Sequence, residues 1–111
     1  MKTTSPQIVR AFAATALMLA VSATAHAQDK ATELHNRATA AMCANCHGTD
    51  GRTTEGSAIP SLVGMPKDYM VLQLKAFKEG ARPATVMHQI TKGLTDAQIN
   101  TISSYYAATK R

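Results

Sequence analysis

Two cysteines and a histidine stand together in the middle of this 111-residue chain. The segment Cys43-Ala44-Asn45-Cys46-His47 has the pattern C-x-x-C-H, which is the attachment site of a c-type haem. Each thiol forms a thioether with one vinyl group, and a two-residue spacer lets both sulfurs reach the same porphyrin edge. The motif therefore predicts one covalent haem c, held by Cys43 and Cys46, with His47 as the proximal iron ligand. Because a haem supplies redox chemistry, we expect a single-electron carrier and not an enzyme in its own right.

Three other uses of a C-x-x-C pair fit this sequence less well. A thioredoxin-like dithiol needs a βαβ context, whereas this chain has few strand signals and no Trp. A zinc site takes four ligands, but the chain has two cysteines, and His35 and His88 lie far from the motif. A disulfide between Cys43 and Cys46 would close a very small loop.

The start of the chain has the pattern of a secretory signal peptide, over residues 1–27. Lys2 and Arg10 are basic, an apolar stretch follows, and Ala25-His26-Ala27 matches the small-x-small cleavage pattern. We expect cleavage after Ala27, a periplasmic location and no stable membrane insertion. An uncleaved anchor is the alternative, although the apolar stretch is shorter than the about 20 residues of a spanning helix.

The remaining residues, 28–111, are expected to form one monohaem domain. A core of that size is marginal by itself, and a covalent haem would provide an apolar centre for short helices. The whole chain carries 12 basic and 7 acidic residues, for a net charge of +5. It has no basic run and only 5% aromatic residues, so we expect no nucleic-acid partner.

The periodicity predicts an all-α fold with short helices. A first helix over about 30–42, with Asp29 as its cap, leads into the motif. Its predicted apolar face consists of Leu34, Ala38, Ala41 and Met42. Residues 48–66 are rich in Gly, Thr, Ser and Pro, which is typical of a loop.

Two further helices have clear boundaries. One has Pro66 in its first turn and Gly80 at its end. Its apolar stripe is formed by Tyr69, Met70, Leu72, Leu74, Ala76 and Phe77. Gln73 interrupts that stripe, either as a rim residue or as a buried amide bonded to haem or backbone. The other helix follows a capping box of Thr95 and Gln98. Its predicted buried face consists of Ile99, Ile102 and Tyr106, with Leu94 and Ile99 as a hydrophobic staple.

The second axial ligand of the iron has several candidates. They are Met65, Met70, Met87, His35 and His88. A methionine thioether favours Fe(II) and raises the reduction potential. Met87 is favoured, because it follows His47 by enough chain to pass around the haem edge and return on the distal side. His88 is the main rival, although as the next residue it needs a different backbone orientation.

Two other residues are expected near the haem. A ligating histidine usually donates its second ring N–H to a carbonyl, and Pro60 is a candidate to hold that carbonyl. An ordinary loop proline is the alternative. Arg82 is a candidate partner for a haem propionate. It could also belong to a basic docking face with Lys67, Lys75, Lys78 and Lys92, for which a solvated helix surface is the alternative.

The stretch from Met42 to Ala107 resembles class I bacterial cytochromes c. It is most similar to the single-haem domains of diheme cytochromes c and to the cytochrome subunit of flavocytochrome c sulfide dehydrogenase. The resemblance rests on Cys43 to Gly51, Ile59 to Leu62, Gln73 to Lys78, Gly80 to Arg82, Ala84 to Ile90, and Leu94 to Ala107.

The resemblance implies a small class I cytochrome c fold around one haem. It also implies that Met87 is the distal ligand and that Pro60 supports the proximal His47. In that family a flavoprotein subunit carrying FAD oxidises sulfide, and the cytochrome carries the electrons onward. Many of its cytochrome subunits have two haem domains, whereas this chain has one motif. The alternative is a free soluble shuttle between a quinol-oxidising complex and a terminal oxidase. A haem sensor or catalyst with an open sixth position is disfavoured by Met87.

Overall fold

The computed structural model describes the backbone of residues 6–110 and the side chains of residues 26–110. This part of the chain forms four α-helices and contains no strand. The helices are α1 (Pro6–His47), α2 (Lys67–Glu79), α3 (Met87–Lys92) and α4 (Asp96–Ala108), and a 3₁₀ turn covers Thr49–Gly51. The chain divides into two units, one up to Leu34 and one from His35 onward. The second unit contains the C-x-x-C-H motif and α2 to α4.

Helix α1 is longer at both ends than the sequence predicted. The expected start near residue 30 is wrong, because the backbone is helical on both sides of Asp29, which therefore caps nothing. Between Pro6 and Gly48 there is no Pro or Gly, and alanine, the best helix former, is frequent. The helix ends at His47, and the next residue, Gly48, has a φ of 80° in the left-handed region. The haem-attachment motif thus occupies the last turns of a helix.

The predicted signal peptide falls largely on residues whose side chains are not described. Lys2 lies outside the described residues altogether, and cleavage after Ala27 stays a prediction. No helix in the described part of the chain combines the length and hydropathy of a bilayer-spanning segment.

The buried face of α1 differs from the predicted one. Ala40 is fully buried, whereas the four predicted residues, Leu34, Ala38, Ala41 and Met42, are exposed. The reason lies far away in sequence, since the Tyr106 hydroxyl donates a hydrogen bond of 2.7 Å to the Ala40 carbonyl. A small side chain at position 40 allows the tyrosine to approach the helix. Cys43 and His47 follow Ala40 at helical spacing and share its inward face.

The core lies where α2 meets α4. Its buried members are Ala40, Met70, Leu74, Leu94, Ile99, Ile102 and Tyr106. The predicted buried face of α4 is confirmed, since Ile99, Ile102 and Tyr106 are at most 1% exposed. The predicted capping box is also confirmed: the Gln98 N–H donates to the Thr95 hydroxyl, and the Thr95 N–H donates to the Gln98 side-chain oxygen.

Helix α2 has two apolar faces instead of one stripe. Met70 and Leu74 are buried in the core, whereas Tyr69 and Leu72 are 49% and 63% exposed. The helix ends at Gly80 as predicted, in a left-handed conformation, while Pro66 precedes its first residue. Helices α3 and α4 both pack against α2.

Two lysines proposed for a docking face instead connect α2 to α4. Lys75 and Lys78 lie 3.6 and 3.7 Å from the carboxylate of Asp96. The Lys78 ammonium also donates a 2.6 Å hydrogen bond to the Leu94 carbonyl. These exposed ion pairs contribute little stability individually, but they occupy both lysines.

The Tyr106→Phe substitution tests the connection between α4 and α1. Removing the hydroxyl deletes the hydrogen bond to Ala40 and keeps the buried ring, so we expect the free energy of unfolding of the holoprotein to fall by about 1 kcal/mol. Denaturant titration measures this, with Tyr105→Phe on the neighbouring half-buried ring as the matched control. Equal effects of the two substitutions would contradict a stabilising role for the hydrogen bond from Tyr106 to Ala40.

Candidate cofactor site

The two thiols lie one helical turn apart at the end of α1. Cys43 and Cys46 are three residues apart on a helix, so their side chains are neighbours on its surface. Cys43 is half-buried and packs against the core, whereas Cys46 is exposed. A pair of sulfurs in this arrangement can hold one edge of a flat group lying beside the helix.

Burial gives Cys43 a distinct chemical environment. It raises the pKa of the Cys43 thiol, and the nearby Tyr106 hydroxyl opposes that rise only in part. The pKa of Tyr106 is also raised, first by burial and then by the nearby Cys43. Both groups are therefore neutral near pH 7, and the hydroxyl of Tyr106 remains a donor to Ala40.

His47 is oriented by the carbonyl that the sequence suggested. The residue is 9% exposed, and its Nδ1 lies 2.7 Å from the carbonyl oxygen of Pro60. Because a carbonyl can only accept, Nδ1 must carry the proton and donate it. The Nε2 lone pair is then available for a metal ion, and the hydrogen bond fixes both the tautomer and the ring orientation.

The loop after His47 is folded back to bring Pro60 into this position. The Leu62 N–H and the Ser61 hydroxyl both donate to the carbonyl of Gly51, at 2.8 and 2.9 Å. Gly51 has a φ of 76°, and a Cβ there would lie 2.6 Å from the Tyr106 ring. Glycine is therefore required, and sequence reasoning missed this role of Gly51 and Ser61. The available signal was the pair of glycines at this turn, with Gly48 directly before it and Gly51 as its last residue.

A second tight turn follows the motif directly. Gly48 has a φ of 80°, and a Cβ on it would lie 2.0 Å from the Arg52 carbonyl oxygen. Only glycine allows the chain to leave the helix immediately after His47 and turn back.

Met87 is the first residue of α3. It is half-buried and packs against the same core cluster as Cys43. His88, its rival, is also half-buried, and its Nδ1 is buried with no hydrogen-bond partner among the described residues. Of the other candidates, Met70 is 3% exposed inside the core, and His35 is exposed. Met65 packs against the core from the loop.

Arg82 is tied to α2. Its guanidinium donates to the side-chain oxygen of Gln73 and lies 4.5 Å from the centre of the Phe77 ring. Its backbone N–H donates to the Ala76 carbonyl at 3.0 Å. Gln73 is half-buried, so the arrangement favours the rim position for this amide. A guanidinium has five N–H donors, and these contacts leave donors available for a carboxylate.

The donor set fits a covalently bound haem. Two thiols and an imidazole with a free Nε2 stand on consecutive turns of one helix. Two residues predicted to lie at the haem, Pro60 and Met87, each follow an exposed apolar side chain in the sequence. Ile59, before Pro60, is 41% exposed, and Val86, before Met87, is 55% exposed. Among the described residues, no group of three or more His, Cys, Asp or Glu side chains is arranged to hold a metal ion.

Comparison with known proteins identifies the family. The family model for cytochrome c matches residues 36–110. The chain is 40% identical over 75 residues to the cytochrome subunit of sulfide dehydrogenase from Chlorobaculum tepidum, which covers 68% of this chain and 66% of the relative. It is 38% identical over 71 residues to a thiosulfate dehydrogenase electron acceptor from Thiomonas intermedia, which covers 64% of this chain and 33% of the relative.

A solved structure supports the same conclusion for the fold. Cytochrome c4 of Acidithiobacillus ferrooxidans superposes with a TM-score of 0.56 at 36% identity, over 60% of this chain and 37% of that chain. The chain thus spans between a third and two thirds of the length of these proteins. The predicted all-α class I cytochrome c fold is confirmed. This chain belongs to the cytochrome c family, and membership implies an electron carrier with covalently bound haem c.

Proposed function

We propose that this chain carries single electrons in the periplasm as the haem subunit of a flavoprotein sulfide dehydrogenase. The observation that carries the proposal is the C-x-x-C-H helix end, with His47 oriented by Pro60, in a chain that is 40% identical over 75 residues to the cytochrome subunit of a sulfide dehydrogenase. The predicted signal peptide, cleaved after Ala27, would deliver the chain to that compartment.

Four residues would hold the haem. Cys43 and Cys46 would form the two thioethers, Nε2 of His47 would bind the iron, and the Met87 thioether would bind it from the other side. The bound haem supplies a one-electron Fe(III)/Fe(II) couple. The Met87 sulfur would raise the potential by favouring Fe(II), whereas the hydrogen bond from His47 to Pro60 makes the imidazole a stronger donor.

Side chains at both axial positions would keep substrate away from the iron. Sulfide would then have to be oxidised on the flavoprotein, which releases electrons one at a time to a single-haem carrier. The chain's own task would be to hold the haem, exclude water and present the haem edge to its partners.

The basic face available to a partner is smaller than the sequence predicted. Lys75 and Lys78 pair with Asp96, which leaves Lys67, Arg82 and Lys92 as exposed cations of the proposed docking face. Charges of this kind mainly accelerate and orient the encounter of two proteins. Arg82 could in addition bind a haem propionate with its remaining donors.

A free carrier is the second candidate. The 38% identity to a thiosulfate dehydrogenase electron acceptor supports a chain that receives electrons from a dehydrogenase without being its permanent subunit. A soluble shuttle between a quinol-oxidising complex and a terminal oxidase would also be a free carrier.

Purification from the native periplasm separates these candidates. We expect the holoprotein to co-purify with a flavin-containing protein, and sulfide to reduce the haem of that complex. If the cytochrome elutes alone and sulfide fails to reduce it in the unfractionated extract, the subunit proposal is wrong and the free carrier is favoured.

The Met87→Ala substitution tests the distal ligand. Loss of the thioether should lower the reduction potential of the holoprotein and let carbon monoxide bind the reduced iron rapidly. The control is Met42→Ala, because Met42 is a 48% exposed methionine beside the motif. An unchanged potential and slow carbon monoxide binding in Met87→Ala would contradict the assignment, and a change in His88→Ala instead would favour His88.

A further inference from the structure

Thr91 is a polar residue buried without any exposure. It lies on α3, one turn after Met87, and its side chain is 0% exposed. Its hydroxyl donates to the Met87 carbonyl at 2.8 Å and lies 3.4 Å from the His88 carbonyl. A buried hydroxyl is costly without a partner, so the short bond to Met87 fixes the rotamer of Thr91.

The start of α3 is held by backbone and packing contacts without a side-chain cap: the Val86 carbonyl accepts from the N–H groups of Gln89 and Ile90 at 2.9 and 3.3 Å, and Met87 packs against the core. The helix has six residues, and a helix so short has no stability of its own. Val86 at its N-cap supplies no side-chain hydrogen bond, and its backbone is not helical. The bond from Thr91 therefore ties the last turn of α3 to its first residue.

Thr91 also connects α3 to the core. The N–H of Leu94 donates to the Thr91 carbonyl at 3.1 Å, and Leu94 is 5% exposed in the main cluster. A continuous path thus runs from the core through Leu94 and Thr91 to the peptide group of Met87. Threonine hydroxyls that bond the carbonyl four residues earlier tilt that carbonyl and bend short helices.

We propose that Thr91 is a positioning residue that sets the direction of the Met87 thioether towards the haem iron. The inference rests on the proposed axial role of Met87. Because Met87 carries the thioether, the position of its backbone sets where its Cα–Cβ bond starts and points, and a sulfur lone pair binds iron well only when it points at the metal. Loss of the hydroxyl would let the Met87 backbone shift, which would weaken the iron–sulfur bond and lower the potential that the thioether raises.

The test compares Thr91→Val, which keeps the shape and removes the donor, with Thr91→Ser, which keeps the donor. In oxidised holoprotein the readouts are the charge-transfer absorption of the iron–thioether bond and the reduction potential. In reduced holoprotein the readout is the rate of carbon monoxide binding. We expect Thr91→Val to weaken the band and to lower the potential. We also expect carbon monoxide to bind about five times faster, because the net free energy of one hydrogen bond corresponds to about a fivefold change. Thr91→Ser should retain the wild-type values.

A matched control exists on α4. The Thr109 hydroxyl donates to the Tyr105 carbonyl at 2.8 Å, which is the same four-residue bond far from α3 in sequence. Thr109→Val should leave all three readouts unchanged. If Thr91→Val fails to fold, Thr91→Ala removes the same donor and adds only a small cavity.

The outcomes separate this inference from the axial assignment. If Met87→Ala loses the band but Thr91→Val keeps the wild-type band, potential and rate, only the positioning role is overturned. Equal changes in Thr91→Val and Thr91→Ser would attribute the effect to packing and also overturn it. If the wild type lacks the band, or Met87→Ala retains it, both the axial assignment and the role of Thr91 are wrong.

Discussion

The hydrogen bond from His47 to the Pro60 carbonyl is the contact on which the site depends. It determines which ring nitrogen carries the proton, and so which one can bind a metal. For this contact the chain must turn back immediately after α1, which Gly48 permits. The loop must also be held in place next to Pro60. The carbonyl of Gly51 provides that fixation by accepting two hydrogen bonds from the loop.

Tyr106 joins this loop to the rest of the domain. Its hydroxyl bonds Ala40 on α1, its ring covers Gly51, and its carbonyl accepts from the N–H of Gly64 at 2.9 Å. One residue of α4 therefore positions the helix that carries the motif and both ends of the loop that orients His47. On the other side of the core, Leu94 and Thr91 lead to Met87. The proposed proximal and distal ligands are thus supported by separate contacts to the same core cluster.

Local signals were sufficient for part of this structure. The C-x-x-C-H motif, the capping box at Thr95 and the glycine at position 80 each determine structure within a few residues, and all were readable from the sequence. The buried face of α4 was predicted too, because Ile99 and Ile102 stand between polar neighbours and Tyr106 continues their helical spacing. The family resemblance, carried by these segments, led to the correct fold.

Signals that depend on distant contacts were misread or missed. In the alanine-rich α1, the inward face has little contrast with the outward one, and it is selected by Tyr106 from the far end of the chain. Asp29 has the chemistry of a cap, but no Pro or Gly stops the helix before it. Lys75 and Lys78 were candidates for a docking face or for a solvated helix surface. Their pairing with Asp96 could not be predicted locally, because the position of Asp96 opposite them depends on how α4 packs. No local sequence pattern identifies the redox partner, because exposed charges of this kind can bind many different proteins.

Intact-mass and peptide mass spectrometry of the protein purified from the periplasm tests the central claim most directly. We expect the mass of residues 28–111 plus one haem that survives denaturation, with the added mass on the peptide containing Cys43 and Cys46. A chain without covalent haem, or a haem released on denaturation, would contradict the account of this site. A retained leader would contradict the predicted cleavage after Ala27.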